Sequence, residues 1–233
     1  MTKVTYLHHS GFMVETEKNC LVFDYYTDGG KFDNIDLSAF NGKNVFVFVS
    51  HFHQDHYDRN VIFKWKDMNV RYILSKDCMY DKSLENVTVV NANKGYIIDG
   101  VAIETLKSTD EGVAYIVHSD GITIYHAGDL NHWYWDGEDP QWNKNMTKAY
   151  REEIAKMHGR KADIAFLPLD PRLGEYFYLG IDDFVKEVDV KHIFPMHFWG
   201  EYDGAERRKK MPCSAGYRDR IVEIHEEGEG WEI

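Results

Sequence analysis

Six consecutive residues, His51-Phe52-His53-Gln54-Asp55-His56, constrain this chain more than any other feature. Three imidazoles and a carboxylate crowd into one segment directly after Val45-Phe46-Val47-Phe48-Val49, an apolar β-branched run that reads as a buried strand. A strand ending in a dense set of nitrogen and oxygen donors is how a fold places a metal at the rim of a sheet. Zinc and its first-row neighbours take imidazole nitrogens and carboxylate oxygens. A lone His in such a place is ordinarily packed or solvated, whereas four ligand-type residues in six positions are not a chance surface loop. Further donors are expected at the ends of later strands.

Short strands recur along the chain around 21–24, 45–50, 71–74, 87–90, 96–99, 101–106, 113–118 and 121–126, with Asp99-Gly100 suited to a tight hairpin turn. So many short strands at close spacing predict a sandwich. The clearest helix runs from Pro140 to about His158, with Asp139 as cap, Pro140 in its first turn and Gly159 at its end. Trp142, Met146, Tyr150, Ile154 and Met157 form an apolar stripe that predicts a core-facing surface. A second helix is expected from roughly Asp182 to Val188.

The order H-x-H-x-D-H resembles the signature of the metallo-β-lactamase superfamily. The resemblance implies an α/β fold, a four-layer αβ/βα sandwich of two mixed β-sheets with outer helices, carrying one or two metals at the sheet edge. It implies His51, His53, Asp55 and His56 as ligands from the first motif. The strand 121–127 closing on Gly128-Asp129 resembles the family's "GD" motif, making Asp129 the carboxylate between two metals. The strand 191–196 running into His197 resembles the family's last ligand, the "P-x-H" His. Asp24, at the end of Cys20-Leu21-Val22-Phe23, matches an outer carboxylate that orients a ligand imidazole. His8-His9-Ser10-Gly11-Phe12 is similar to the opening of the branch that holds sugar-phosphate lactonases and phospholipase-like hydrolases, which brings His9 toward the pocket.

One expected ligand is missing. Most of the family carries a third His before a strand like 113–117, and this chain has Lys107-Ser108-Thr109-Asp110-Glu111-Gly112 there. In one reading His51, His53 and Asp129 hold the first metal with help from Asp110. In the other the first position is weak or empty, and one metal sits on Asp55, His56, Asp129 and His197.

The aromatic run Trp133-Tyr134-Trp135 after Asp129 cannot all face inward, so it reads as a pocket wall or lid. His132, Trp133 and Arg172 complete the candidate substrate pocket with His9.

At 233 residues, with five prolines and no Gly/Ser-rich linker or repeat, residues 1–233 read as a single metallo-hydrolase domain. Three widely spaced cysteines argue against a disulfide framework or a thiolate zinc site. The start lacks the apolar core of a signal peptide and no run spans a bilayer, so a soluble, cytoplasmic protein without a membrane partner is expected. A net charge of −12 argues against a nucleic-acid substrate, which needs a basic track. The one dense basic run, Arg207-Arg208-Lys209-Lys210, reads as a solvated segment.

The expected activity is metal-dependent hydrolysis of an ester, lactone, amide or phosphodiester bond in a small molecule. The metal, zinc by preference with Mn2+ or Fe2+ as alternatives, would supply hydroxide by lowering the pKa of water to about 7. Asp55 and Asp129 are the expected catalytic carboxylates. Two other classes remain open: an iron-binding redox protein on the same fold, with Asp110 or Glu111 as substitute ligand, and a non-catalytic metal-binding protein. Exposed aromatics would permit a homo-oligomer.

Overall fold

The computed structural model describes residues 1–233 apart from the side chains of residues 60 and 61. Among the described residues, thirteen strands form two sheets. The first sheet runs in spatial order β13 (Gly230–Glu232), β1 (Lys3–His8), β2 (Gly11–Glu15), β3 (Asn19–Phe23), β4 (Asn44–Val49), β5 (Val70–Ser75) and β6 (Val87–Val90). The second runs β12 (Asp189–Met196), β11 (Lys161–Pro168), β10 (Ile122–His126), β9 (Val113–Ser119), β8 (Val101–Lys107) and β7 (Gly95–Ile98). Both are mixed: β3 to β6 pair in parallel and β1 to β3 antiparallel, while β10 to β12 pair in parallel and β7 to β10 antiparallel.

Strand alternation explains the layering. Phe46 and Phe48 of β4 face the core between the sheets, with Phe12, Phe23, Phe166 and Phe194. Val45, Val47 and Val49 point the other way and pack with Phe40 and Trp65. A strand apolar on both faces belongs in the middle of such a stack. The outer cover of the first sheet comes from the segment holding a single helical turn, α1 (Arg59–Ile62), and the 3-10 turns around it. The second sheet is covered by α2 (Pro140–Ile154) and α3 (Leu179–Glu187), with Phe184 of α3 stacked on Tyr125 of β10 at 4.5 Å. The result is the expected αβ/βα sandwich.

Local chemistry sets the element ends. Asp139 caps α2 by accepting hydrogen bonds from the backbone N–H groups of Gln141 and Trp142. Asp99 and Gly100 both lie in the left-handed region, φ 47° and 85°, as a type I′ hairpin turn requires.

Two expectations need correction. Tyr150, Ile154 and Met157 are buried as the helical stripe predicts, but Trp142 at the start of α2 is 39% exposed and Met146 is only partly covered. The first turns of α2 overhang the sheet edge, so their apolar face meets a cleft instead of the core. The basic run forms α4 (Gly204–Lys210), yet Arg208 is fully buried. Its guanidinium pairs with Asp182 and lies 5.1 Å and 5.3 Å from the rings of Tyr217 and Tyr178, so this charge is consumed inside the fold.

Candidate metal centre and its cleft

The ends of several strands converge at one edge of the sandwich. β4 delivers His51, His53, Asp55 and His56; the turn between β1 and β2 delivers His9; the loop before β9 delivers Asp110; β10 leads to Asp129; β12 leads to His197. Their donor atoms form two groups, each within 4.8 Å: His9, Asp55, His56 and His197 in one, and His51, His53, Asp110 and Asp129 in the other. Asp129 faces both. Its Oδ1 lies 3.2 Å from His56 Nε2 and 3.6 Å from His197 Nε2, and its Oδ2 lies 3.7 Å from His51 Nε2.

The spacing suits metal ions. Donors at about 2.0–2.1 Å around a tetrahedral zinc lie about 3.3 Å apart. Here His51 and His53 nitrogens are 3.0 Å apart, His53 and Asp110 donors 3.4 Å, and His9 and Asp55 donors 3.2 Å. His9 Nε2, His56 Nε2 and Asp129 Oδ1 are moreover buried without a hydrogen-bond partner. Leaving three such atoms unsatisfied is costly, and cations held by the two groups would remove that cost.

Outer carboxylates set the imidazole tautomers. His56 Nδ1 donates to Asp24 Oδ2 at 2.7 Å, and His197 Nδ1 donates to Asp170 Oδ2 at 2.9 Å. Ser50 Oγ donates to Asp24 at 2.6 Å and accepts from His51 Nδ1 at 2.9 Å. In all three rings Nε2 is left facing the site. Asp24 sits in left-handed backbone, φ 41°, and its other oxygen accepts from Ser50 N at 2.7 Å. Two glycines allow this packing. A Cβ on Gly112 (φ 68°) would run into Ser50 O and His51 Cβ, and one on Gly128 (φ 51°) would lie 2.5 Å from Ser50 Cβ.

The charge balance before metal binding is uneven. Burial opposes charge on His56, but the Asp129 and Asp24 carboxylates overcome it and hold its pKa well above the usual imidazole value. Burial lowers His9 to about 4 and His51 to about 3. Burial would raise Asp129, and the His56 and His197 charges outweigh it and keep the carboxylate ionised. Asp110 is pushed up by burial and by the Asp129 charge.

A cleft of about 280 Å³ opens onto these groups, lined on the metal side by His53, Asp55, Asp110, Asp129 and His197 and opposite by Trp133, Trp135, Trp142, Met146 and Arg172. Trp133 and Arg172 thus sit where the sequence placed them, though Arg172 is paired with Asp170. His132 does not line the cleft. It is buried, its Nδ1 donating to Asp183 at 3.1 Å and its Nε2 meeting Thr147 Oγ1 at 2.7 Å, because the backbone turns it under the wall that Trp133 and Trp135 present. His9 lies deeper than a substrate contact would, as a donor 4.3 Å ring to ring from His197. The role of Asp170 was missed. It closes β11 just as Asp24 closes β3, and that shared strand-end Asp was the available signal.

A family model for the beta-lactamase superfamily domain matches residues 3–139. The chain belongs to the metallo-β-lactamase superfamily. A UPF0173 metal-dependent hydrolase of Pyrococcus furiosus is 27% identical to it over 85% of each chain. Among solved structures, the metallo-β-lactamase fold protein YhfI of Bacillus subtilis superposes with a TM-score of 0.67 at 15% identity over all of both chains. Igni18, a metallo hydrolase from Ignicoccus hospitalis, superposes with a TM-score of 0.64 at 18% identity, covering 100% of this chain and 99% of its own. At such identities the structures share the fold, and the chemistry has to be argued from this chain's residues.

Proposed function

We propose that this protein is a metal-dependent hydrolase of small molecules with a two-metal site. His9, Asp55, His56 and His197 hold an inner ion, His51, His53 and Asp110 hold an outer one, and Asp129 lies between them. The observation that carries this reading is the two four-donor groups beside an open cleft, with His56 Nε2 of one lying 3.2 Å from Asp129 Oδ1 of the other and both atoms buried without a hydrogen bond. The curated relative's description as a metal-dependent hydrolase supports it. Divalent ions held there would lower the pKa of water toward neutrality and polarise a scissile carbonyl or phosphoryl oxygen.

The protein's own groups do the rest. Asp55 lines the cleft with Oδ2 turned toward His9, His56 and His197. Burial would raise its pKa, but the His9 contact and the His56 charge hold it below the usual carboxylate range. An ionised Asp55 with Oδ2 engaged leaves Oδ1 to accept a hydrogen bond from the attacking water and orient it. Trp133 donates its indole N–H to the Asp129 backbone oxygen at 3.0 Å, tying the cleft wall to the backbone that carries the central carboxylate.

Zinc-, manganese- and iron-loaded protein should be assayed on a panel of esters, lactones, amides and phosphodiesters, beside elemental analysis of the protein as purified. Two equivalents of metal with turnover in one bond class is the expected result. No metal uptake on reloading would overturn the reading, and iron with redox turnover in place of hydrolysis would replace it.

A further inference from the structure

We propose that the substrate presents one flat apolar group, an aromatic ring or its equivalent, to a preorganised tryptophan wall, and that Trp135 and Trp142 determine this specificity. The proposal rests on the two-metal hydrolase reading for the position of the reacting bond.

The wall is rigid by construction. The segment after Asp129 is tied down at three places by polar side chains. Thr109 Oγ1 donates to Asn131 O at 2.7 Å and accepts from Asn131 N at 3.1 Å. His132, buried beneath, bridges Thr147 of α2 and Asp183 of α3. Asn143, 4% exposed on α2, clamps the Trp135 backbone from both sides, accepting from its N–H at 3.1 Å and donating to its carbonyl at 2.8 Å. Trp133 and Trp135 are held nearly parallel, 7° apart with centroids at 6.3 Å. A chain that buries an Asn and a His to fix an indole, Trp135, that it leaves partly open has built a contact surface, because aromatic area at a cleft mouth otherwise remains in water.

The chemistry of the cleft selects against a highly charged ligand. Arg172 is the cation on the wall, and its Nε and Nη2 are spent on Asp170. Its guanidinium then lies 4.8 Å from the Trp199 ring centroid and 5.9 Å from that of Trp135, extending the flat wall. Among the described residues that line the cleft Arg172 is the one Lys or Arg, and Asp170 already pairs with it. The volume of about 280 Å³ sits at the small end of ligand pockets, which suits one ring and a short linker.

Isothermal titration of the zinc-loaded protein with phenylacetate and with acetate tests this. Both probes offer the same carboxylate to the metals, so the difference reads the wall. Phenylacetate should bind at least about tenfold more tightly, the scale expected for burying one ring. The Trp135→Ala/Trp142→Ala variant should bind the two alike with unchanged zinc content. Trp142→Ala alone, a change at a half-exposed helix position, should lose part of the preference and serves if the double variant misfolds. Equal affinities, no measurable binding of phenylacetate, or a preference that survives in the variants would overturn the proposal. Failure of the hydrolase reading would show separately, as no turnover on any bond class while the phenyl preference persists.

Discussion

The inner group, His9, Asp55, His56 and His197, and the outer group, His51, His53 and Asp110, share Asp129 but are held by different means. In the inner group His9, His56 and His197 are almost fully buried, and Asp24 and Asp170 fix two of the rings directly. In the outer group only His51 is buried, and it reaches Asp24 through Ser50. The His53 and Asp110 side chains are 38% and 43% exposed and contact each other across the cleft mouth. One group is preorganised by a shell of hydrogen bonds, and the other stays open to water and substrate. Rigid donors with oriented lone pairs bind metal tightly, and open ones exchange it.

The sharpest break in this picture would come at the shared carboxylate. Asp129→Ala should abolish binding of both ions and lower turnover by about three orders of magnitude or more, the scale of several kcal/mol of lost metal assistance. Elemental analysis showing the inner ion retained would mean that Asp129 is not common to the two groups. Next in size, His53→Ala should remove the outer ion, halving the metal content, while the inner ion stays. Loss of both together would erase the distinction between open and closed groups. Asp24→Asn should weaken metal binding by about 10–100-fold through His56 and the Ser50–His51 relay, read by competition with a chromophoric chelator. An unaltered affinity would show that burial alone orients those rings. The smallest effect is expected from Gly112→Ala, where left-handed backbone and collision with Ser50 and His51 should cost about 1–3 kcal/mol of stability in denaturant melts. An unchanged midpoint would show that the loop carrying Asp110 can move away from His51.

Much of the fold was legible because its signals are local. Val45–Val49 is apolar at every position, which only a strand covered on both faces requires, and β4 is such a strand. Asp99-Gly100 carries its turn type in two residues. The sequence misled where one pattern serves two environments. The stripe on α2 is periodic throughout, and periodicity does not record that the first turns of the helix, up to Met146, overhang the sheet and leave Trp142 at a cleft. Arg208 looked solvated because charge density in a sequence does not disclose a half-buried partner, Asp182, far upstream.

By itself the sequence determined that His51, His53, Asp55 and His56 would cluster, since six residues leaving one strand cannot be far apart. It also determined a sandwich, from the number and spacing of apolar runs. Only the tertiary structure decided that His9 enters the inner group, that Asp170 orients His197, and that His132 supports the wall without lining the cleft. Each of those relations joins residues far apart in the chain, and such distances are set by how strands β1, β11 and β12 pair and stack, which no local pattern encodes.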